Sequence, residues 1–431
     1  MTSNIKIDGV CFTGSTATAK TIHKSMADHL SPYAPLIAET GGLNAMIVDS
    51  TALHEQAVTD VVASAFQSAG QRCSALRILY LQADIAPKFM KMLTGALAEQ
   101  TLGDPWDFST DIGPVITEKA QLDIQDYIEQ AKNDGRLIRT LQTPSIGHFI
   151  GPTLISIGSI LEMEQEVFGP VLHIATFEAN ELPKVIADIN QSGYGLTFGL
   201  HTRIDQRVEE ITQRLNVGNV YVNRNQIGAV VGSQPFGGEG LSGTGPKAGG
   251  PSYVKRFTCK DGVLSDTKMP ETYLPNQDLQ EHISNAPRAK RLALSTRDLL
   301  GPTGESNRLS EYPRGTILCL GPSLADADKQ AEIAQSKGCT AIKLCREAQG
   351  DGAINGTMNP NALEHLTDID GVAFWGDIEY GQRLRQALAR RTGKILPLMS
   401  YHDMADLCVI ERHICIDTTA SGGNADLLAG Y

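Results

Sequence analysis

Short apolar runs alternating with helix-spaced segments constrain this chain more than any other feature. Residues 5–13, Ile-Lys-Ile-Asp-Gly-Val-Cys-Phe-Thr, read as a strand. Gly14 and Ser15 make the turn, and Thr16 to Leu30 reads as a helix with Ile22, Met26 and Leu30 at helical spacing. Ile37 to Glu39 and Ala45 to Val48 follow as short buried strands around the Gly41-Gly42 turn. A helix over Glu55 to Ser68, a strand over Leu76 to Leu81 and a helix over Ala86 to Gln100 continue the alternation. Leu182 to Asn190 reads as a helix and Val220 to Asn223 as a strand. The fold class expected is α/β. The first strand, Gly-Ser turn and helix form half of a nucleotide-binding unit, where backbone N–H groups and the positive end of the helix dipole meet a pyrophosphate. This is not the full GxGxxG fingerprint, so by itself it reads as a plain βα unit.

The chain has 431 residues, enough for two or three domains. Residues 260–312 change character, with Pro270, Pro275, Pro287 and Pro302, scattered charge and little periodicity. They read as a boundary or a strap. Order returns at Thr316-Ile-Leu-Cys-Leu-Gly321, with a helix over Ala325 to Ser336 and strands at Ala341 to Leu344 and Gly371 to Phe374. That alternation suggests a small parallel-sheet domain. Net charge is −12, which argues against a nucleic-acid partner, because phosphate binding needs basic patches. No run of eighteen apolar residues exists to span a membrane, and the N-terminus has no apolar signal core. Eight cysteines are scattered without a CxxC pair, and no His cluster suggests a metal site. Reduced thiols in the cytoplasm are the simplest reading.

The chemistry concentrates in two places. Gln67-Ser-Ala-Gly-Gln-Arg-Cys-Ser-Ala75 puts Cys73 after a Gly-Gln-Arg turn, and Ala38-Glu-Thr-Gly-Gly42 puts Glu39 before two glycines. Thiol chemistry on a carbonyl needs a nucleophilic sulfur and a base that later activates water. Alone, each has an ordinary alternative, since a buried Cys is inert and a Glu at a strand end is usually solvated.

Further motifs, in order, resemble the aldehyde dehydrogenases: Phe12-Thr-Gly-Ser-Thr-Ala-Thr-Ala19, Glu166-Val-Phe-Gly-Pro170, Asn223 and Pro235-Phe-Gly-Gly238. The resemblance covers roughly residues 5 to 260. Glu39-Thr-Gly-Gly-Leu-Asn-Ala-Met-Ile-Val-Asp49 and the stretch Gly228 to Gly250 are similar to the glutamate semialdehyde (1-pyrroline-5-carboxylate) dehydrogenase module of the proline utilization A family. The resemblance implies an aldehyde dehydrogenase fold, with a partial Rossmann-like NAD domain and a catalytic α/β domain, followed by a small α/β C-terminal domain. It implies NAD as cofactor and L-glutamate γ-semialdehyde as substrate. Cys73 would be the nucleophile and Glu39 the general base for thioester hydrolysis. Gly14 and Ser15 would meet the pyrophosphate, Glu166 the nicotinamide ribose, and Phe168 would pack beside the nicotinamide ring. Ser74 and the backbone of Gly228-Ala229 would anchor the substrate carboxylate, as a nest of N–H donors does for an anion. Phe236 would wall the aliphatic pocket, and Asn223 would brace its loop. Arg72 and Arg224 would add positive potential, or be solvated surface charges.

The boundaries expected are 1–41 for the remainder of the NAD domain, 42–240 for the catalytic domain and 241–262 for a return segment. A linker or strap follows over 263–312 and the C-terminal domain over 313–431. Two family elements, a Pro-Trp-Asn segment whose Asn donates to the oxyanion and a Lys-Pro element that contacts the adenosine ribose, have no counterpart. The chain therefore resembles the C-terminal portion of a larger enzyme. A proline dehydrogenase module carrying FAD is expected on the full-length protein or a separate chain, and the intact enzyme is expected to be a homo-oligomer. The competing reading is an inactive fragment or interaction module with residual nucleotide binding.

Overall fold

The computed structural model describes residues 7–258, 267–269, 272–350 and 352–419. Residues 5 and 6, Pro270 and the tail from 420 onward lie outside the described residues. The first strand is Val10–Gly14, and it pairs in parallel with Leu36–Thr40. The helix between them, Thr16–His29, is started by Ser15, whose Oγ accepts from the Thr18 N–H at 3.2 Å. Such a cap satisfies one of the free N–H groups of the first turn. Ala19 and Met26 are the helix face buried with Leu36 and Ala38. The far edge of Leu36–Thr40 is covered by residues 242–244. Glu39 bridges Gly243, the Thr40 N–H donates to the Ser242 carbonyl at 3.0 Å, and the Ala38 N–H donates to Thr244 Oγ1 at 2.9 Å.

These segments belong to the first of two units, which comprises Met1–Thr40, Glu239–Arg297 and Leu309–Arg412. Its main sheet is parallel, in the order Ala353–Asn355, Thr340–Cys345, Thr316–Cys319, Gly371–Ala373, Leu398–Met399. Both faces are covered. Leu318, Ile342, Leu344, Val372 and Leu398 enter one core, while Ile317, Cys319, Ala373 and Met399 enter another. That two-sided burial is why the strands read as unbroken apolar runs. Helix Leu324–Ser336 starts with a capping box between Ser323 and Asp326. The Tyr33 hydroxyl donates to the Phe374 carbonyl at 2.8 Å, tying the first forty residues to this sheet. The stretch read as a strap holds helix Asn276–Asn285, which buries Leu279 and Ile283 four residues apart.

The second unit comprises Gly41–Gly238, Asp298–Arg308 and His413–Tyr431. Its sheet runs Asn219–Val222, Thr197–His201, Ala45–Val48, Ile78–Gln82, Val171–Phe177, Thr153–Ser156 and Leu137–Thr140, and His413–Ile416 pairs on the outer side of Asn219–Val222. Every pair is parallel except the last, Thr153–Ser156 with Leu137–Thr140. The expected helix over 55–68 is His54–Phe66 and then breaks. Ser68, Ala69 and Gly70 all take positive φ (55°, 54° and 64°). Helix propensity alone gives no warning of this turn, which leads into Cys73. Helices Glu118–Asn133 and Asp205–Arg214 were not expected. The first buries only Ile124 and Ala131, too narrow a stripe to register as amphipathic spacing. Among the described residues, no helix is long and apolar enough to cross a membrane.

Candidate active site

Cys73 is half-buried at the end of the left-handed turn, just before strand Ile78–Gln82. Buried polar side chains pin the three carbonyls around it. Asn44 Nδ2 donates to the Cys73 carbonyl at 2.7 Å and to the Ala75 carbonyl at 2.9 Å. The Ser74 carbonyl accepts from Thr197 Oγ1 and from Gln226 Nε2, both at 3.2 Å. Three strands or strand ends thus fix the backbone that carries the thiol. Gly70 is required by geometry as well as by φ, since a Cβ there would lie 2.2 Å from the Gly169 carbonyl oxygen.

Arg77 organises the surroundings. It is fully buried. Its Nη1 donates to the carbonyls of Gly70 at 2.8 Å and Gly169 at 3.2 Å, and its Nη2 to the Arg72 carbonyl at 3.1 Å. Nε and Nη2 both reach Glu166 Oε1, at 3.1 and 2.8 Å. Burial pushes the Glu166 carboxyl above its usual range, opposed by Arg77 and by the Gly42 N–H. A Cβ at Gly41 would stand 1.9 Å from Glu166 Oε2, so a side chain there would displace the carboxylate from its present position. The Arg77 guanidinium also lies 5.3 Å from the centroid of the half-exposed Phe168 ring. Behind Arg77, His173 Nδ1 donates to its carbonyl at 2.8 Å, and the Tyr127 hydroxyl donates to His173 Nε2 at 2.8 Å. Burial lowers the His173 value to about 4, so the ring is neutral.

Ser74 is buried, Ala229 and Phe236 are half-buried, and Gly228 is exposed with φ of 74°. No heavy atom stands within 4 Å of a Cβ placed at Gly228. Asn223 bonds within its surroundings: its Oδ1 accepts from the Thr202 N–H at 3.1 Å and its carbonyl from Gln56 Nε2 at 2.8 Å. Arg224 is ion-paired with Glu305 and donates to Cys415 Sγ at 3.1 Å. Its side chain is mostly buried and its charge is paired, so it is not a solvated surface charge. Arg72 donates to Ser68 Oγ at 3.1 Å.

The second unit therefore holds Cys73, Ser74, Glu166, Phe168, Gly228, Ala229 and Phe236, and the first holds Gly14, Ser15 and Glu39. Gly14 and Ser15 are exposed at the start of helix Thr16–His29. Glu39 is 8% exposed in strand Leu36–Thr40. Lys247, 2% exposed, sits beyond the segment that pairs with this strand, and burial lowers its ammonium to about 8 against the attraction of Glu39, Glu411 and Glu239. Taken unit by unit, the exposed start of helix Thr16–His29 suits a phosphate in kind, and Glu166 has remaining lone pairs that suit ribose hydroxyls. Arg77, Asn44, Gln226 and Lys247 were not anticipated as site residues. Period-two reading sends Arg77 to solvent, and nothing in Gly245-Pro-Lys247 announces burial of an ammonium group.

A predominantly parallel α/β architecture with a strained turn presenting one half-buried thiol defines the class. Residues 1–261 match the aldehyde dehydrogenase family, and the chain belongs to that family. It is 41% identical over 476 residues to the bifunctional protein PutA of Escherichia coli strain K12, covering 99% of this chain and 36% of that protein. It is 38% identical over 222 residues to a 1-pyrroline-5-carboxylate dehydrogenase of Geobacillus sp. strain WCH70, covering 51% of this chain and 43% of that one. Among solved structures it resembles a bifunctional proline utilization A protein, with 51% identity and TM-score 0.58 over 59% of this chain and 26% of that one. It also resembles 1-pyrroline-5-carboxylate dehydrogenase from Thermus with bound NAD, with 33% identity and TM-score 0.55 over 59% and 50% of the two chains. The fold is that of the aldehyde dehydrogenases. The chain spans about a third of the length of the PutA relatives it matches.

Proposed function

We propose that this chain carries the site for NAD-dependent oxidation of L-glutamate γ-semialdehyde to L-glutamate. The observation that carries this reading is the Cys73 turn: a half-buried thiol whose flanking carbonyls are all held by buried donors. Such rigidity fixes the line of attack on a carbonyl carbon. The Cys73 thiolate adds to the aldehyde carbon, and the oxygen takes the negative charge. NAD held by the residues named below would supply the hydride acceptor for this carbon. The thioester that remains is attacked by water as Glu39 takes a proton, and the Cys73 thiolate departs. Gly14, Ser15 and Glu166 would hold the dinucleotide, with Phe168 beside it. Ser74 and the Gly228-Ala229 backbone would receive the substrate carboxylate, and Phe236 its methylenes. The open face and positive φ of Gly228 support a turn that presents N–H groups outward. The names of the PutA and 1-pyrroline-5-carboxylate dehydrogenase relatives support the same substrate. A proline dehydrogenase with FAD is the proposed source of that aldehyde.

The test is NADH formation from glutamate semialdehyde and from pentanal, by the chain and by Cys73→Ala and Cys415→Ala. Glutamate semialdehyde should be preferred by about 2–4 kcal/mol in kcat/KM, because pentanal leaves the carboxylate donors unpaired. Cys73→Ala should abolish turnover and Cys415→Ala should retain it. Equal use of the two aldehydes refutes the substrate, and turnover by Cys73→Ala refutes the mechanism.

A further inference from the structure

Arg77 is the most heavily engaged buried cation beside the proposed nucleophile, and no step above uses it. Its five N–H donors are spent on two structures at once. Two nitrogens grip Glu166 Oε1, while Nη1 and Nη2 hold the Gly70 and Arg72 carbonyls of the turn that ends in Cys73. A third carbonyl, that of Gly169, completes the shell. Only a guanidinium has the planar fork to do this, and a lysine ammonium has three donors and no plane. Its own backbone is held in turn, because the Arg77 carbonyl accepts from the His173 N–H at 2.9 Å and from His173 Nδ1. The guanidinium's bond to the Arg72 carbonyl puts its charge at the peptide unit that leads into Cys73.

We propose that Arg77 is a positioning residue that links the nucleophile to the nucleotide carboxylate: one buried charge both shapes the Cys73 turn and stabilises its thiolate, and Glu166 sets how much of that charge reaches the sulfur. The inference rests on Cys73 being the reactive thiol. The charged and titratable groups around the turn are Arg77 from its own segment, Glu166 bonded to Arg77, the adjacent Arg72, and the Tyr221 phenol of strand Asn219–Val222. Burial raises Tyr221, so it stays neutral through the working range. Arg77 and Glu166 are thus the charge pair bonded directly to the turn that carries Cys73.

The consequence is a pair of opposite shifts. Removing the cation leaves Glu166 uncompensated and makes the thiolate harder to form. Removing the carboxylate leaves the cation uncompensated and makes it easier. The experiment is alkylation of the chain by iodoacetamide, in which the Cys73 thiolate displaces iodide, followed peptide by peptide by mass spectrometry across pH. Arg77→Met should raise the midpoint of the Cys73 profile by about one pH unit and Glu166→Gln should lower it, on the scale typical of a close charge. Arg77→Lys should keep the midpoint near the parent's but change the plateau rate, because the turn loses its fork. General loosening of the turn would move both charge-removing variants the same way, and that result overturns the proposal. If Arg77→Met does not fold, Glu166→Gln decides: an unmoved midpoint in that variant overturns it equally. Alkylation reads Cys73 directly, so this outcome is separate from whether the chain oxidises glutamate semialdehyde.

Discussion

The Tyr127 hydroxyl and Nε2 of His173 lie 2.8 Å apart, and the other ring nitrogen of His173 donates to the backbone of Arg77. Burial keeps this imidazole neutral, with Nδ1 protonated and Nε2 accepting from the Tyr127 hydroxyl.

Stability should therefore fall in mild acid. Burial holds His173 at about 4 in the folded chain, against an ordinary value of about 6.5. Between those values the unfolded chain binds more protons. The contribution is fully present above about pH 6.5 and is lost as pH falls toward 4. His201, also lowered to about 4 by burial, acts in the same sense. Asp60, raised to about 6 by burial, acts in the opposite sense below that value. For His173 alone the loss by pH 5 is on the order of 2 kcal/mol. Urea unfolding near pH 7.5 and near pH 5 should show a larger drop for the parent than for His173→Gln. Equal drops would mean that His173 is not the group being titrated.

Two glycines with the same handedness should respond differently to alanine. Gly70 and Gly228 have φ of 64° and 74°. A Cβ at Gly70 meets the backbone oxygens of Gly169 at 2.2 Å and Ala65 at 2.9 Å, whereas one at Gly228 meets open space. Gly228→Ala should carry only the left-handed strain, about 1–2 kcal/mol. Gly70→Ala adds a backbone clash and should exceed about 3 kcal/mol, displacing the turn before Cys73 as well. Thermal unfolding of the two variants compares them, and similar losses of Tm would contradict the geometry of the turn.

Legibility followed the physics of each segment. Thr316–Cys319 was visible because both faces are buried, Ile317 and Cys319 in one core and Leu318 in the other. Helix Thr16–His29 was visible because Ile22, Met26 and Leu30 repeat at its period and Ser15 caps it. Helix Asn276–Asn285 was hidden by the prolines around it and by its short apolar repeat, Leu279 and Ile283. The break at Ser68 and Ala69 was hidden because nothing local forbids a helix there, and contacts with the Gly169 segment impose the turn. Arg77 was hidden for the same reason. Its role comes from carbonyls and a carboxylate that lie next to it in sequence or 89 and 92 residues away. Local sequence points to Cys73 and Glu166, whereas the contacts that hold them come from distant segments.

The same distinction applies to Lys247, whose expected effect is on the proposed base. Its backbone N–H donates to Glu411 Oε2 at 3.0 Å, and its ammonium is buried with Glu39 as the strongest of the attractions that offset burial. A cation there favours the ionised form of Glu39, the form able to take a proton from water. In Lys247→Met that support is gone, so Glu39 should hold its proton to higher pH. The acid limb of hydrolysis should then move upward by about one unit, the lower end of the range for a neighbouring charge. Lys247→Arg keeps the charge and should leave the limb near the parent's, even if its bulk lowers the rate. Turnover of 4-nitrophenyl acetate without coenzyme, followed from about pH 5 to about pH 9, reads hydrolysis at Cys73 apart from hydride transfer. An acid limb at one pH in all three proteins would show that Lys247 does not act on Glu39.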